Sequence, residues 1–392
     1  MDRTEQFEGV LRQLHCLNAN DAGKSGIRPT LSALFETALG DSNETGALSQ
    51  VIVEGDRVAI AVIHAIAGVE AIVGELAARI AAITKSALDN DESLSIGFVF
   101  APGTMDPRTC ERLNEKAKGF RCLVHDPENE QQQALLAIGC EANPLAINRQ
   151  LFDADVVLVL ASPTGKELSS ERPALFPVFG SADGRSHYES QKPKKRVADR
   201  QSVERNLGAD FQIAVTTGPG GMPDSVFAGI SAGIGERVAK RVRESWALIP
   251  LRDFDLVVST IQSPSGLEPW DELRAALKIA SQHATDNAPL VVISPIERAP
   301  ATHVAHEIEL AMDDDDHAGG TAPRDLQASI GHRPVYLASG LDRQTVEELG
   351  FGYLESAEEL GRLVKRFPNS GLIRDAHKCI SIENANVAAE EI

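Results

Sequence analysis

Two stretches of the sequence share one pattern: residues 153–167 read DADVVLVLASPTGKE, and residues 253–268 read DFDLVVSTIQSPSGLE. Each begins with Asp-x-Asp, continues with a short apolar run and ends in a loop of Ser, Pro and Gly. An unbroken run of Val and Leu is typical of a strand that is buried on both faces of a parallel sheet. Because open α/β sheets bind ligands at the loops after such strands, the loops 162–167 and 262–270 are the first candidate sites.

The rest of the chain alternates between strand and helix patterns. The two quoted runs predict strands at 156–160 and 256–261, and further short apolar runs predict strands at 57–63, 95–100, 121–124, 211–216, 290–293 and 334–338. Apolar residues at helical spacing predict helices at 68–85, 109–119, 226–245, 270–282, 303–312, 342–349 and 357–367, and residues 132–138 read as helical or turn-like. Strands that alternate with helices are typical of parallel sheets with right-handed crossovers, so the predicted fold class is α/β.

The length of the chain, 392 residues, exceeds what one hydrophobic core usually supports. The strand–helix alternation also restarts after the predicted helix 226–245. The sequence therefore predicts two parallel-sheet α/β domains with a cleft between them. The N-terminal domain is predicted at 1–247, a smaller C-terminal domain at 248–372, and a C-terminal tail at 373–392, of which 383–392 are expected to be frayed.

Composition excludes several classes of partner. The net charge of −19 argues against nucleic acid, because phosphate contacts require a basic surface. The charged N-terminus lacks the apolar segment of a signal peptide, and no apolar stretch approaches the length of a membrane-spanning helix. Five cysteines without a C-x-x-C pair are typical of free thiols in a reducing compartment. We therefore expect a cytoplasmic protein with a small-molecule partner and no membrane partner. The oligomeric state stays open, and a homo-oligomer is one option.

Residues 162–210 break the alternation and are predicted to form a long, loop-rich excursion. Within it, the stretch 176–188, FPVFGSADGRSHY, carries Arg185, His187 and Tyr188. Arginine can hold a carboxylate through two parallel hydrogen bonds, and histidine can act as an acid, a base or a metal ligand. So many Gly and Ser residues argue against a packed core element. Two interpretations of this stretch therefore stand side by side: it forms part of a ligand-binding or catalytic site, or it is an ordinary surface loop.

Other polar clusters have ordinary explanations. Residues 218–221, GPGG, match neither of the familiar phosphate-loop patterns. The basic run 192–196 and the acidic run 313–316 are interpreted as solvated surface, since four adjacent carboxylates lack the alternating spacing of a calcium loop. His303 and His306 lie three residues apart but are not part of an H-E-x-x-H motif. No metal site is predicted.

Seven segments occur in a specific order and spacing. They are RVAIAVI (57–63), FAPGTMDPRTCERL (100–113), VHDPEN (124–129), DADVVLVLAS (153–162), FPVFGSADGR (176–185), DLVVSTIQSPSGLEPWDELRAALK (255–278) and YLASGLDRQTVEELGF (336–351). In this order the chain resembles the nickel-pincer lactate racemase family over most of its length. The resemblance implies a larger N-terminal and a smaller C-terminal α/β domain, with the site between them.

The chain departs from this family at the motifs that carry its chemistry. Where the family has Gly-Thr-His with a catalytic histidine, residues 103–105 read Gly-Thr-Met. Where the family has Gly-Gly-Arg-Lys, whose lysine attaches the pincer cofactor, residues 183–186 read Asp-Gly-Arg-Ser. Because Ser186 cannot form the lysine thioamide link, a covalent nickel-pincer nucleotide is not expected, and the cofactor stays unknown.

Two further family motifs are altered. The paired acids and Thr-Arg-Pro after the first strand are replaced by IHAIAG at 63–68, and Tyr-Gln-x-x-Lys is replaced by WDELR at 270–274. The family's racemisation needs a hydride acceptor on the pincer ring and two histidine bases on opposite faces of the substrate. The resemblance therefore implies that this chain does not run that reaction in that way.

The hypothesis at the level of residues follows from these patterns. His64 and His187 are the candidate catalytic groups, and the candidate substrate contacts are Arg108, Arg185, Tyr188, Trp270 and Arg274. One interpretation is a divergent lactate-racemase-like protein that binds a small anionic metabolite, with isomerase activity as a racemase or epimerase of 2-hydroxy acids or sugar acids. The alternative is a non-catalytic ligand-binding or structural homologue. We expect the loops after residues 63, 100, 160 and 261 to meet 176–188 at one cleft.

Overall fold

The computed structural model describes residues 3–17, 29–40, 47–85, 95–116, 119–163, 174–218, 221–262, 269–299 and 330–382. In chain order its helices are α1 (Arg3–Leu11), α2 (Leu31–Leu39), α3 (Val69–Thr84), α4 (Pro107–Lys116), α5 (Arg149–Phe152), α6 (Ala182–Ser190), α7 (Pro193–Leu207), α8 (Ser231–Trp246), α9 (Pro269–His283), α10 (Arg343–Glu348) and α11 (Ala357–Arg366). Its strands are β1 (His15–Cys16), β2 (Val58–Val62), β3 (Ile96–Phe100), β4 (Phe120–Val124), β5 (Gln133–Ile138), β6 (Pro144–Asn148), β7 (Val156–Ala161), β8 (Phe211–Thr217), β9 (Pro223–Ile230), β10 (Ala247–Leu248), β11 (Leu256–Thr260), β12 (Leu290–Ile293), β13 (Val335–Ala338), β14 (Gly352–Tyr353), β15 (Ser370–Ile373) and β16 (Ile380–Ser381).

The first sheet has six strands in the order β4-β3-β2-β7-β8-β9. All neighbours are parallel except β8 and β9, which pair antiparallel. From β2 the chain adds β3 and β4 on one side, and it later adds β7, β8 and β9 on the other. The direction of chain progress across the sheet therefore reverses between β2 and β7. This pair is the topological switch point, where open α/β sheets bind their ligands.

The second sheet also has six strands, in the order β1-β15-β11-β12-β13-β14, and all of its pairs are parallel. From β11 the chain adds β12, β13 and β14 on one side, and β15 then returns to the other side. Its switch point is therefore the pair β11 and β15. The predicted α/β class with two parallel sheets is confirmed. The second sheet has as many strands as the first, although β1 and β14 contribute only two residues each.

Apolar clusters cover both faces of each sheet. Strands β2, β3 and β11 are buried along their whole length, as their unbroken apolar runs require. The first sheet packs on one face against α2, α3 and α4, and on the other against residues 175–179 and α7. The second sheet packs on one face against α8 and α9, and on the other against α1 and α11.

Helix α8 connects the two sheets. Ile234, Val238 and Val242 recur every four residues, so they lie on one face of the helix, and all three are buried. They belong to the same apolar cluster as Ala214 of β8 and Val257 of β11. The helix therefore packs against both sheets.

Two of the predicted helical segments are wrong in part. Residues 223–230 form β9, which pairs antiparallel with β8, so the helix predicted at 226–245 begins only at Ser231. Residues 133–138 form β5, which pairs with β6 in a separate two-stranded sheet. Both segments are short apolar runs, and periodicity alone cannot distinguish a strand from a helix in such runs.

The predicted excursion at 162–210 is also wrong in its described part, because it contains two helices. Ser181 caps α6, and its side chain accepts a hydrogen bond from the backbone N–H of Gly184. Pro193 stands in the first turn of α7, where its missing N–H costs no hydrogen bond. The basic run 192–196 therefore forms the start of α7, and Lys192 and Lys194 are exposed as predicted.

The ends of the chain depart from the predicted division. The N-terminal strand β1 pairs with β15, so residues 15–16 belong to the second sheet rather than to the first. Residues 373–382, which the sequence assigns to the C-terminal tail, are packed: β16 pairs with β10, and residues 376–379 are buried. The stretch 383–392, expected to be frayed, lies outside the described residues. Pairing partners so distant in sequence leave no local signal. The boundary at residue 247 itself stays a prediction.

Candidate ligand site at the switch points of the two sheets

The switch point of the first sheet is closed by a hydrogen bond between two loops. His64 follows β2 and Ser162 follows β7, and the backbone N–H of Ser162 donates to Nδ1 of His64 over 3.0 Å. The strands end level, because the N–H of Ile63 donates to the carbonyl of Leu160 over 3.0 Å. His64 is half-buried and Ser162 is buried. The sequence predicted both residues in ligand-binding loops, and the structure brings them together.

This hydrogen bond fixes the tautomer of His64. A ring nitrogen that accepts a hydrogen bond carries no proton, so the neutral imidazole carries its proton on Nε2. In this form the N–H of the ring is at Nε2. To act as a base through Nε2, the ring would have to move its proton to Nδ1, where it would face the N–H of Ser162.

The switch point of the second sheet has a matching bond. The backbone N–H of Gln262, which follows β11, donates to Oδ1 of Asp375 over 2.9 Å. The N–H of Asp375, which follows β15, in turn donates to Oγ1 of Thr260 over 3.3 Å. Asp375 is fully buried and adopts φ +47°, a left-handed conformation that Asp tolerates better than most residues. The sequence analysis missed Asp375, because nothing local links residue 375 to residue 262.

Buried charged groups surround this second switch point. Glu272 of α9 and His377 are both buried, and Oε1 of Glu272 lies 3.9 Å from Nε2 of His377. Nζ of Lys378 lies 6.0 Å from the ring centroid of Trp246. Buried charges of this kind are rare unless they are paired. These residues also escaped prediction, since only the fold brings the end of the chain against α9.

The stretch 176–188 is tied to the first sheet through a buried histidine. Nε2 of His125, directly after β4, donates to the carbonyl of Gly180 over 3.0 Å, and Nδ1 accepts from Nδ2 of Asn148 over 3.1 Å. The N–H of Ala182 also donates to the carbonyl of Pro127 over 3.0 Å. Burial lowers the pKa of His125, so its ring is neutral and serves as a structural link.

The same stretch contributes to the hydrophobic core, contrary to the prediction. Phe176 and Phe179 are fully buried, and they share an apolar cluster with Ile63 and Ala101 at the carboxyl ends of β2 and β3. The ring of Tyr188 packs edge-on against Phe176, with centroids 5.4 Å apart. The aromatic residues, rather than the Gly and Ser residues between them, decide where this segment lies.

Three predicted site residues lie on α6. Nη2 of Arg185 donates to the carbonyl of Val178 over 3.2 Å. The positive charge of Arg185 also lowers the pKa of His125, although burial of the ring is the larger cause. His187 is half-buried, and its Nε2 is buried without a hydrogen-bond partner in the described part of the chain. The phenol ring of Tyr188 belongs to the core cluster.

The remaining predicted substrate contacts lie elsewhere. Trp270 is buried in α9, and its Nε1 donates to the carbonyl of Arg298 over 3.3 Å. Arg274, one turn later, forms an ion pair with Asp271. Arg108 is exposed in the first turn of α4. Convergence of these residues with α6 on one cleft stays a prediction.

The positions that would carry nickel-pincer chemistry do not fit that cofactor. Met105, where the resemblance places a catalytic histidine, is 7% exposed and belongs to the apolar cluster around α3 and α4. Ser186, where the resemblance places the linking lysine, is an exposed serine on α6. The hydroxyl of Ser186 cannot form the lysine link to the cofactor, and the buried thioether of Met105 cannot act as a base.

Other catalytic groups are scarce among the residues described. No three His, Cys, Asp or Glu side chains there lie close enough together to hold a metal ion. Burial raises the pKa of Cys122 to about 12 and also raises that of Cys110, so neither thiol is a nucleophile near neutral pH.

No described helix is both long and apolar enough to cross a membrane. His303, His306 and the acidic run 313–316 lie outside the described residues, as do parts of both candidate loops.

Two solved structures share this fold. The lactate racemase apoprotein from Thermoanaerobacterium thermosaccharolyticum matches with a TM-score of 0.57 and 14% identity over 93% of this chain and 96% of that chain. A protein from Thermotoga maritima, a structural genomics target, matches with a TM-score of 0.53 and 11% identity over 86% of this chain and 94% of that chain. No family model matches the sequence, and no curated protein does. The chain therefore has a lactate-racemase-like fold, which confirms the predicted resemblance at the level of the fold.

Proposed function

We propose that this chain binds a small organic anion of the 2-hydroxy acid class at the switch points of its sheets, without nickel-pincer chemistry. The observation that carries the proposal is the bond between His64 and Ser162 at the switch point of the first sheet. It brings the imidazole of His64 and the start of the loop after β7 together at the place where this kind of sheet binds ligands. The second switch point, with Gln262 and Asp375, supplies the facing wall in this proposal.

A carboxylate ligand needs a local positive charge in a chain with a net charge of −19. Arg185 is the best-placed candidate, because it is half-buried near His125 and, among the described residues, only one of its five N–H donors is engaged, by the carbonyl of Val178. A guanidinium offers a carboxylate two parallel donors. Arg274 is the second candidate, although its pairing with Asp271 already offsets its charge.

Two positions argue against nickel-pincer chemistry in this chain. Met105 is part of the hydrophobic core, so no base stands there. Ser186 offers no amine for the cofactor link. With neither group present, binding of the anion is the function best supported by the remaining residues.

One observation favours an isomerase as the second candidate. Nε2 of His187 is buried without a hydrogen-bond partner in the described residues, which is costly unless the group has a use. In this alternative, one of the pair His64 and His187 removes the proton from C2 of a 2-hydroxy acid, and the other returns a proton to the opposite face. His64 would first have to change tautomer.

The test is calorimetric titration of the purified full chain with L-lactate and D-lactate as probes. We expect saturable binding, and we expect Arg185→Gln to weaken it by about ten- to a hundredfold, the value of a charge-assisted hydrogen bond. Arg196→Gln is the matched control, because Arg196 also donates to one backbone carbonyl, that of Gln191, on the neighbouring helix. Equal loss in both variants, or no binding to the parent, would overturn the proposal.

A chiral assay separates the two candidates. The chain is incubated with each pure lactate enantiomer, and the other enantiomer is then measured. Binding without conversion supports the binding protein. Conversion that is lost in His187→Gln but kept in His332→Gln, a change at an exposed histidine, would instead establish the isomerase.

A further inference from the structure

A cavity of about 340 Å³ opens at the free edge of the second sheet, around β14. Two tyrosines line it from opposite faces of the sheet: Tyr336 belongs to the cluster beneath α11, and Tyr353 to the cluster on the other face. Helix α11 contributes Glu359, Arg362 and Arg366, which lie at helical spacing on one face. The cavity is near the lower size limit of small-molecule sites.

The position of Tyr336 depends on the glycine across from it. Tyr336 and Gly352 are direct partners in the pairing of β13 with β14. A Cβ built on Gly352 would lie 2.5 Å from Cδ1 and 2.8 Å from Cε1 of the Tyr336 ring. Since real Cβ atoms do not approach so closely, the ring lies flat over this residue only because it is glycine. The aromatic floor of the cavity is therefore built into the strand pairing.

The charges that line the cavity are mainly positive. Three guanidinium groups, those of Arg343, Arg362 and Arg366, stand against the single carboxylate of Glu359. Arg343 lies over the Tyr353 ring at 5.0 Å and is already paired with two carboxylates, Glu355 at 3.3 Å and Glu347 at 3.8 Å. Arg362 lies 3.8 Å from Glu359. Arg366 has no carboxylate within ion-pair distance among the residues described; its guanidinium lies 5.6 Å from the ring centroid of Phe367.

We propose that this cavity binds a small phosphate monoester. A phosphate monoester carries a charge of about −1.5 to −2 near neutral pH. Among the described residues, the guanidinium of Arg366 has no carboxylate within ion-pair distance, and Arg362, one turn earlier on the same face of α11, has only Glu359. Arginine clusters are the usual receptors of phosphate oxygens, through paired N–H donors. Arg362 and Arg366 hold the phosphate, and the organic part lies on the ring of Tyr336. This inference does not depend on the proposed function, because none of these residues takes part in the anion site at the switch points.

The test is calorimetric titration of the full chain with phenyl phosphate, inorganic phosphate and benzoate at constant ionic strength. We expect phenyl phosphate to bind most tightly, because it has both the dianion and a ring for Tyr336, and benzoate to bind most weakly. Arg366→Gln should weaken phenyl phosphate by about ten- to a hundredfold. Lys365→Gln removes the same charge from the next residue, which is exposed and does not line the cavity, so it should change the affinity less than threefold or so.

A second variant tests the aromatic floor. Gly352→Ala displaces the Tyr336 ring, so it should weaken phenyl phosphate more than inorganic phosphate. Lactate binding should be unchanged in all three variants, which separates failure here from failure of the proposed function. The proposal is overturned if the parent does not bind phenyl phosphate saturably, if benzoate binds equally well, or if Lys365→Gln weakens binding as much as Arg366→Gln.

Discussion

Replacement of His125 by alanine should destabilise the chain strongly, because this side chain links the end of β4 to the segment before α6. His125 is 2% exposed and makes two buried hydrogen bonds, to the carbonyl of Gly180 and with Nδ2 of Asn148. In His125→Ala both partners stay buried and lose their bond. An unsatisfied buried group costs about 1–3 kcal/mol, so the two together should lower the free energy of unfolding by about 2–6 kcal/mol.

Urea denaturation followed by circular dichroism measures this loss, and a double-mutant cycle with Asn148→Ala isolates the coupling. Asn148 also accepts a hydrogen bond from the N–H of Gln150, so its single variant loses that cap as well. If the two side chains act through their mutual bond, the coupling energy should reach about 0.5–2 kcal/mol. A loss below about 1 kcal/mol in His125→Ala, or full additivity of the pair, would refute the reasoning.

Two further predictions concern single buried positions. Burial lowers the pKa of His283, and neither ring nitrogen has a hydrogen-bond partner in the described part of the chain. Below its ordinary pKa of about 6.5 the unfolded chain binds a proton that the folded chain does not, so stability falls as the pH falls. His283→Leu should flatten that fall between about pH 7.5 and pH 5.5 in urea midpoints, and an unchanged slope would contradict this account. A Cβ on Gly97 would lie 1.5 Å from Nε2 of Gln150, so Gly97→Ala should lower the free energy of unfolding by about 1–3 kcal/mol. Adding Gln150→Ala should restore most of this stability, because it removes the clashing side chain. If the losses of the two variants simply add in thermal unfolding, the clash is not the cause.

The strands at the centre of each sheet were predictable, because their signal is local. The runs around 58–62, 96–100, 156–161 and 256–260 were placed within one residue at each end. A strand that is buried on both faces must be apolar at every position, and the polar loops on either side mark where it stops. The predictions failed where an element depends on distant partners, as β1 does on β15 and β16 does on β10.

The segment 176–188 shows a second kind of failure. Its Gly and Ser residues suggested a loop, yet Phe176 and Phe179 lie in the core and Ser181 begins a helix. A signal for that helix was present, because Ser followed by an acidic residue in the next turn is a common helix start. Composition averaged over a stretch concealed two anchoring aromatic residues, which decide packing individually through the large apolar area that each one buries.

The sequence could predict the backbone donor of each switch-point hydrogen bond but not its acceptor, and the repeated pattern explains why. Ser162 and Gln262 occupy the same place in the two stretches, the tenth residue of each. In both, the backbone N–H of this residue, just past the buried strand, donates across the switch point to a side chain on the neighbouring loop: Nδ1 of His64 in one sheet and Oδ1 of Asp375 in the other. A backbone donor at a strand end is fixed by the strand, so the pattern predicts its position. The acceptor is a side chain on another strand, and its identity depends on strand order, which one pattern does not encode. The two acceptors differ in chemistry, since one is an imidazole and the other a carboxyl group. The two switch points therefore share the backbone donor that the pattern predicts and differ in the acceptor that it does not predict.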